Sequence, residues 1–137
     1  MQKFFLLDYN QDGYERFATI EDLNKSVFNV HFWELDEYLE YNQTSKKINN
    51  GDMIEGDLSI ELVCENKKTN ESIMHSQKIP NSSHIEAIIE VTEIVDECSV
   101  KAKSTVSNDI ITVEFEKIVN YEVGNKVFVV GSLELNF

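Results

Sequence analysis

The stretch LLDYNQDGY, residues 6–14, holds the spacing in this chain that most resembles a metal site. Asp8, Asn10, Asp12 and Gly13 stand at the first, third, fifth and sixth positions of an EF-hand-type calcium loop, the glycine making the sharp turn. The twelfth position of such a loop needs a glutamate that binds through both oxygens, and here it is Thr19. Glu21 and Asp22 come too late, and the preceding FFLL reads as a strand, not as an entering helix. Asp8, Asn10 and Asp12 are therefore a weak calcium candidate, and Asp12-Gly13 reads better as the tip of a hairpin.

The other chemistry-bearing residues are dispersed. His31, His75 and His84 show no HxH or HxxxH spacing. Cys64 and Cys98 form no CxxC pair, and MQKFFLL is too short in its apolar run for an export signal, so two reduced, buried thiols are expected. A disulfide between them would need an oxidising compartment. Cys98 with His84, or Cys64 with His75, makes a nucleophilic dyad only on paper. No GxSxG, HExxH or Walker-type loop is present. Paired carboxylates are so common in this chain that they carry no information about acid–base catalysis. The residues point to no enzyme, no catalytic group and no cofactor.

The segment FWELDEYLEY, residues 32–41, is the candidate binding surface. Trp33, Tyr38 and Tyr41 are rigid amphipathic residues of the kind that anchor interfaces. Glu34, Asp36, Glu37 and Glu40 among them would attract a basic partner. The competing reading puts the aromatics in the core and the acids on a solvated rim.

Charge bears on the choice of partner without proving one. Twenty-five Asp and Glu against twelve Lys and Arg give 137 residues a net charge of −13. Residues 1–62 carry thirteen acids and five bases, and residues 63–137 twelve and seven, so both parts are acidic. Such a surface repels phosphate backbones, which counts against nucleic acid, and anionic lipid, and it steers cationic partners inward. High charge also serves solubility alone. No apolar run reaches the length of a membrane span, so a soluble, cytoplasmic protein is expected.

The elements that must position these residues read mainly as strands. KFFLLDY (3–9) and YERFA (14–18) form a hairpin around NQDG. Thr19 followed by Asp22 resembles a capped helix start, and Ile20, Leu23 and Val27 predict one short helix over about residues 20–28. Residues 30–41 read as a strand and then a helical turn or loop. GDMIEGDLSIEL (51–62) alternates as a half-buried strand, ENKKTNES is a polar turn, and Ser72 to Ile79 is a partner strand.

Residues 85–97 are contested. Ser83 with Glu86 suits a capping box, and Ile85, Ile88, Ile89, Thr92 and Val95 make a helical stripe. The like-charge pairs Glu86/Glu90 and Glu93/Glu97 and the wealth of β-branched residues favour a strand, which is the expectation here. CSVKAKSTV, a turn at Asn108-Asp109, a strand over 110–118 and a last strand VFVVGSLELNF complete the chain. GNKVFVVGSLEL (124–135) echoes GDMIEGDLSIEL, but the second glycine falls at a different spacing, and two similar strands suffice to explain it.

This rhythm predicts a mainly β protein (α+β possible), an antiparallel barrel or sandwich. It reads as one domain over 1–137, with a hairpin-and-helix extension over 1–48 packed on a β-barrel over 50–137. The runs IEGDL, ITVEFE and EVGNKVFVVGSLEL resemble the strand rhythm of OB-fold barrels over about residues 50–137. That resemblance implies a binding module for a small ligand, oligonucleotide or assembly partner, with Gly124 at a turn and Gly131 at a strand kink. The acidic positions Glu55, Asp57, Glu61, Glu114 and Glu116 depart from the oligonucleotide-binding pattern. The opening KFFLLDYNQDGY and the short acidic chain are similar to immunity proteins of bacterial toxin systems. That resemblance implies a cognate toxin nuclease as the basic partner, bound through acids such as Glu34, Asp36, Glu37 and Glu40.

Overall fold

The computed structural model describes residues 1–40 and 42–137. Nine strands form among the described residues: β1 (Gln2–Asp12), β2 (Glu15–Asp22), β3 (Val27–Trp33), β4 (Met53–Thr69), β5 (Met74–Ser76), β6 (His84–Asp96), β7 (Ser99–Ser104), β8 (Ser107–Phe115) and β9 (Lys126–Asn136). They make one mixed sheet in the order β1-β2-β3-β9-β4-β8-β7-β6-β5, with further pairings of β1 to β4 and of β9 to β6. No helix forms among the described residues.

The extra pairings close two circuits that share β4 and β9. One runs β1-β2-β3-β9-β4 and back to β1; the other runs β6-β7-β8-β4-β9 and back to β6. In each, three strands meander, the third pairs parallel with a long strand, and the remaining contacts are antiparallel. Residues 2–69 and 84–136 thus repeat one topology, and each lends its last strand to the other's circuit. The two echoing segments of the sequence are these shared strands.

Two glycines mark the equivalence. A Cβ on Gly56 of β4 would stand 2.7 Å from the backbone oxygen of Asn136, and one on Gly131 of β9 would stand 2.6 Å from that of Glu61. Neither contact leaves room for a side chain, so glycine is required where the long strands cross closely.

Alternation builds the core. Strands β1–β3 turn Phe4, Leu6, Ala18, Ile20, Phe28, Val30 and Phe32 inward; β6–β8 contribute Ile85, Ala87, Ile89, Val91, Val100, Ala102, Ile111, Val113 and Phe115. The contested segment 85–97 is strand β6, its β-branched residues and like-charged pairs suiting an extended chain.

Several expectations need correction. The short helix over 20–28 is a hairpin. Asp22 Oδ1 accepts the amides of Asn24 and Ser26 at 2.9 and 2.8 Å, Lys25 takes a φ of 68°, and Leu23 and Val27 are exposed. The Thr19 hydroxyl bonds Asn29 Oδ1 across the sheet and caps nothing. Asn108-Asp109 lies within β8, not at a turn, and the partner strand of Ser72 to Ile79 shrinks to β5, which pairs with β6. The resemblance of residues 50–137 to one antiparallel barrel becomes a nine-stranded mixed sheet with two parallel pairings. Cys64 is exposed and Cys98 partly so, both as free thiols. Cys64 loses its buried place because β4 bulges between Glu61 and Glu65, where Leu62 has a φ of 55° and turns outward.

Candidate functional site

The β3–β4 connection, residues 34–52, sits on the β1–β2 turn. Gly13 and Leu39 exchange backbone hydrogen bonds of 2.9 and 3.0 Å, and the Glu34 amide donates to the Tyr14 carbonyl at 2.8 Å. Gly13, with a φ of 67°, closes the hairpin as expected and gives Tyr38 its seat: a Cβ there would stand 3.1 Å from the ring. Asp8, Asn10 and Asp12 are strung along β1. Alternate residues of a strand lie about 6–7 Å apart, so these do not converge on one ion as a calcium loop requires.

Beneath the connection lies Arg16, 2% exposed. Its guanidinium donates to the carbonyls of Gly13, Glu15 and Glu37 at 2.8, 3.2 and 2.6 Å and meets the Glu37 carboxylate at 3.4 Å. That carboxylate also accepts the Ser45 hydroxyl at 2.6 Å and the Lys46 amide at 2.9 Å. The Ser45 hydroxyl first, and then the Lys46 amide, hold Glu37 below the usual carboxylate range. Lys47 bridges Glu34 and Asp36 at 3.2 and 3.5 Å. Glu34 and Glu37 are thus held within the chain, whereas Asp36, although it shares Lys47, keeps its carboxylate exposed.

Trp33 and Tyr38 are not core residues. Trp33, Leu35 and Tyr38 are 57%, 73% and 58% exposed, and Tyr14 packs edge-on against Tyr38 with centroids 5.2 Å apart. Asp36 and Glu40 are exposed beside them. Tyr41, also a candidate, lies outside the described residues.

A second feature went unseen in the sequence. One cross-strand row runs Phe17–His31–Glu134–Ser59–Thr112–Lys101 over β2, β3, β9, β4, β8 and β7. Ser59 and Glu134 lie between buried apolar neighbours that face the core, so the row occupies the opposite face. His31 Nδ1 is 2.7 Å from Glu134 Oε1, and Nε2 is 3.0 Å from Glu15 Oε1. The rings of Phe17 and Trp33 each lie 5.2 Å from the imidazole. The hydrogen bond to Glu134 raises the His31 pKa, against the opposing pull of burial. A protonated His31 donates from both nitrogens to carboxylates, and the hydrogen bond to Glu134 favours that form. Glu134 Oε2 accepts the Ser132 hydroxyl at 2.8 Å.

No sequence signal joins these residues, because β9 reaches the β2–β3 hairpin only through a long-range pairing. Among the described residues no cluster of His, Cys, Asp and Glu is arranged to hold a metal, and no helix is long and apolar enough to cross a membrane. Comparison with protein-family models, curated proteins and solved structures found no match to this chain.

Proposed function

We propose that this chain is a non-catalytic, acidic binding protein of the cytoplasm. Its partner is a basic protein, such as a cognate toxin nuclease that it neutralises in the manner of an immunity protein. The observation that carries this reading is the exposed cluster of Tyr14, Trp33, Leu35 and Tyr38 beside Asp36 and Glu40, on a chain of charge −13. Arg16 and Glu37 hold the connection that displays this cluster, so little ordering is left for binding to do. A rigid aromatic centre with an acidic rim suits a partner rich in Lys and Arg.

The test is capture from the source organism's extract on immobilised protein at low and at high salt. A basic protein retained at low salt should bind roughly 30-fold more weakly to Trp33→Ala or Tyr38→Ala, the cost of losing an interface anchor. Recovery of no basic protein, or capture indifferent to both substitutions, would sink the reading.

A second reading, an OB-like binding module, is favoured by one observation. Phe17, His31 and Trp33 line the face of the second and third strands of a five-stranded circuit, the face on which OB-folds hold ligands. Glu15 and Glu134 already occupy the His31 ring there, which argues for the first reading.

A further inference from the structure

The parallel pairing that closes each circuit starts at His31 with Glu134 in the first and at Thr112 with Ser59 in the second. The two-fold relation that superposes Gly56 on Gly131 exchanges these two starts. Just before each of them the strands diverge and leave a gap. On β9 it falls at Leu133, between the β6 pairing, which ends at Ser132, and the β3 pairing at Glu134. On β4 it falls at Asp57 and Leu58, between the β1 pairing, which ends at Gly56, and the β8 pairing.

In the first circuit the chain fills the gap itself, with residues 77–83 leading into β6. The Ser83 carbonyl accepts the Leu133 amide at 2.8 Å. The Gln77 side chain takes both backbone groups of Asn29, accepting from its amide at 2.9 Å and donating to its carbonyl at 2.7 Å. A carboxamide thus stands in for a neighbouring strand, and the space left around Asn29 and Ser83 is about 250 Å³.

In the second circuit Leu58 corresponds to Leu133, each preceding the start of the pairing on its long strand. Ile110 corresponds to Asn29, each two residues before that start on the partner strand. No segment among the described residues makes the matching contacts there. Leu133 stands opposite Ile60 yet gives its amide to Ser83, so that pair exchanges no hydrogen bonds across the β4–β9 ladder. Two residues along, Leu58 and Leu135 are the same kind of pair, and the Leu58 amide points into the gap. Ile110 has no opposite residue in the β7 ladder, which passes from Ile111 to Ser107, nor in the β4 ladder. A groove open to solvent, about 950 Å³ in volume, runs over Asp57, Leu58, Ile110 and Thr112.

From this correspondence we infer that the gap between β4 and β8 receives an extended segment of a partner protein. A backbone carbonyl of the segment meets the Leu58 amide, and a glutamine carboxamide meets the amide and carbonyl of Ile110. Residues 77–83 are the template for that ligand. Unpaired strand groups are recognised in this way when a peptide adds to a sheet edge. Asp57, Glu61 and Glu114 along the groove select against an acidic segment. The site reads hydrogen-bonding groups and does not depend on the aromatic cluster or on the basic-partner reading.

The test uses the whole chain, ¹⁵N-labelled, and as probe the end-blocked peptide SQKIPNSS, the sequence of residues 76–83. Amide shifts should gather at Leu58, Ile110 and Thr112, and Trp33→Ala in the protein should leave them in place. Gln77→Glu in the peptide keeps the shape but exchanges the donating amide for a carboxylate, and should weaken binding about tenfold or more. An absence of shifts at millimolar peptide, equal affinity for the two peptides, or shifts centred on Trp33 and Tyr38 would overturn the inference. Shifts at Asn29 and Leu133 would overturn it too, since the peptide would then have displaced its own counterpart from the first gap.

Discussion

The two topological repeats pair their strands alike and fill them differently. Strands β1–β3 bring Phe4, Phe28, Phe32 and a buried arginine, whereas β6–β8 bring Ile, Val and Ala with a single phenylalanine, Phe115. The first repeat carries the long β3–β4 connection over residues 34–52, and its counterpart between β8 and β9 spans only 116–125. Aliphatic packing dominates the core of the second repeat, whose buried polar groups are Ser104 of β7 and Glu134 of β9. The first accepts buried polar groups, Arg16 and His31, each of which must be fully hydrogen-bonded to be tolerated. Those demands shape the surface: Arg16 holds the 34–52 connection through Gly13 and Glu37, and His31 ties Glu15 of β2 to Glu134 of β9. The first repeat thereby displays an exposed aromatic cluster on its long connection and the end of β3.

The comparison breaks most completely at Arg16. Arg16→Met would keep the volume and strip donors from three carbonyls, leaving the Glu37 carboxylate without its cation. Removing one partner of a buried ion pair costs about 3–5 kcal/mol, so the urea midpoint should fall steeply. The loss should reach the connection first, seen as quenching changes at Trp33 before global unfolding. A variant that melts like the parent would mean that the connection holds its course without Arg16.

How far the sequence revealed this arrangement depended on the range of the contacts involved. Period-two alternation exposed β4, β6, β7 and β9, and Asp12-Gly13 exposed the first turn, since both signals are local. The helix expected over 20–28 failed because Ile20, Leu23 and Val27 fit helical spacing while Asp22 was better used in gathering the amides of a tight turn. Trp33 and Tyr38 were visible as a candidate site, but their exposure was not, because burial depends on what Leu39 and Gly13 do across the fold. The neutralisation of Glu34 and Glu37 by Lys47 and Arg16 lay outside the acidic segment altogether. The Phe17–Lys101 row combines six strands and left no local trace.

The glycines sharpen the comparison at a smaller scale. Gly131→Ala drives a methyl against the Glu61 carbonyl, flanked by Val63 and Ile60, in the middle of the chain. Gly56→Ala meets the Asn136 carbonyl and the flexible end of the Leu135 side chain, which can move aside. Overpacking of this kind costs about 1–3 kcal/mol, and the Gly131 variant should lie at the upper end and the Gly56 variant at the lower. Equal losses in thermal melting would show that the two crossings are equally rigid.

The smallest effect, and the finest test of the two-fold relation, comes from giving the first repeat the second repeat's residue: His31→Thr, after Thr112. His31 has a raised pKa, so the folded state holds the proton more tightly than the unfolded chain does. Its contribution is therefore complete below the unfolded value of about 6.5 and is lost as pH rises through the folded one. Glu15 and Glu134 face the ring from β2 and β9. The depressed pKa of His75, caused by burial, is common to both proteins and cancels in their difference. The parent should exceed the variant by about 1 kcal/mol at mildly acidic pH, the order of one charge-assisted hydrogen bond, and the gap should close in alkali. A gap that is flat with pH would show that His31 stabilises the sheet by packing between Phe17 and Trp33, with no share from its charge.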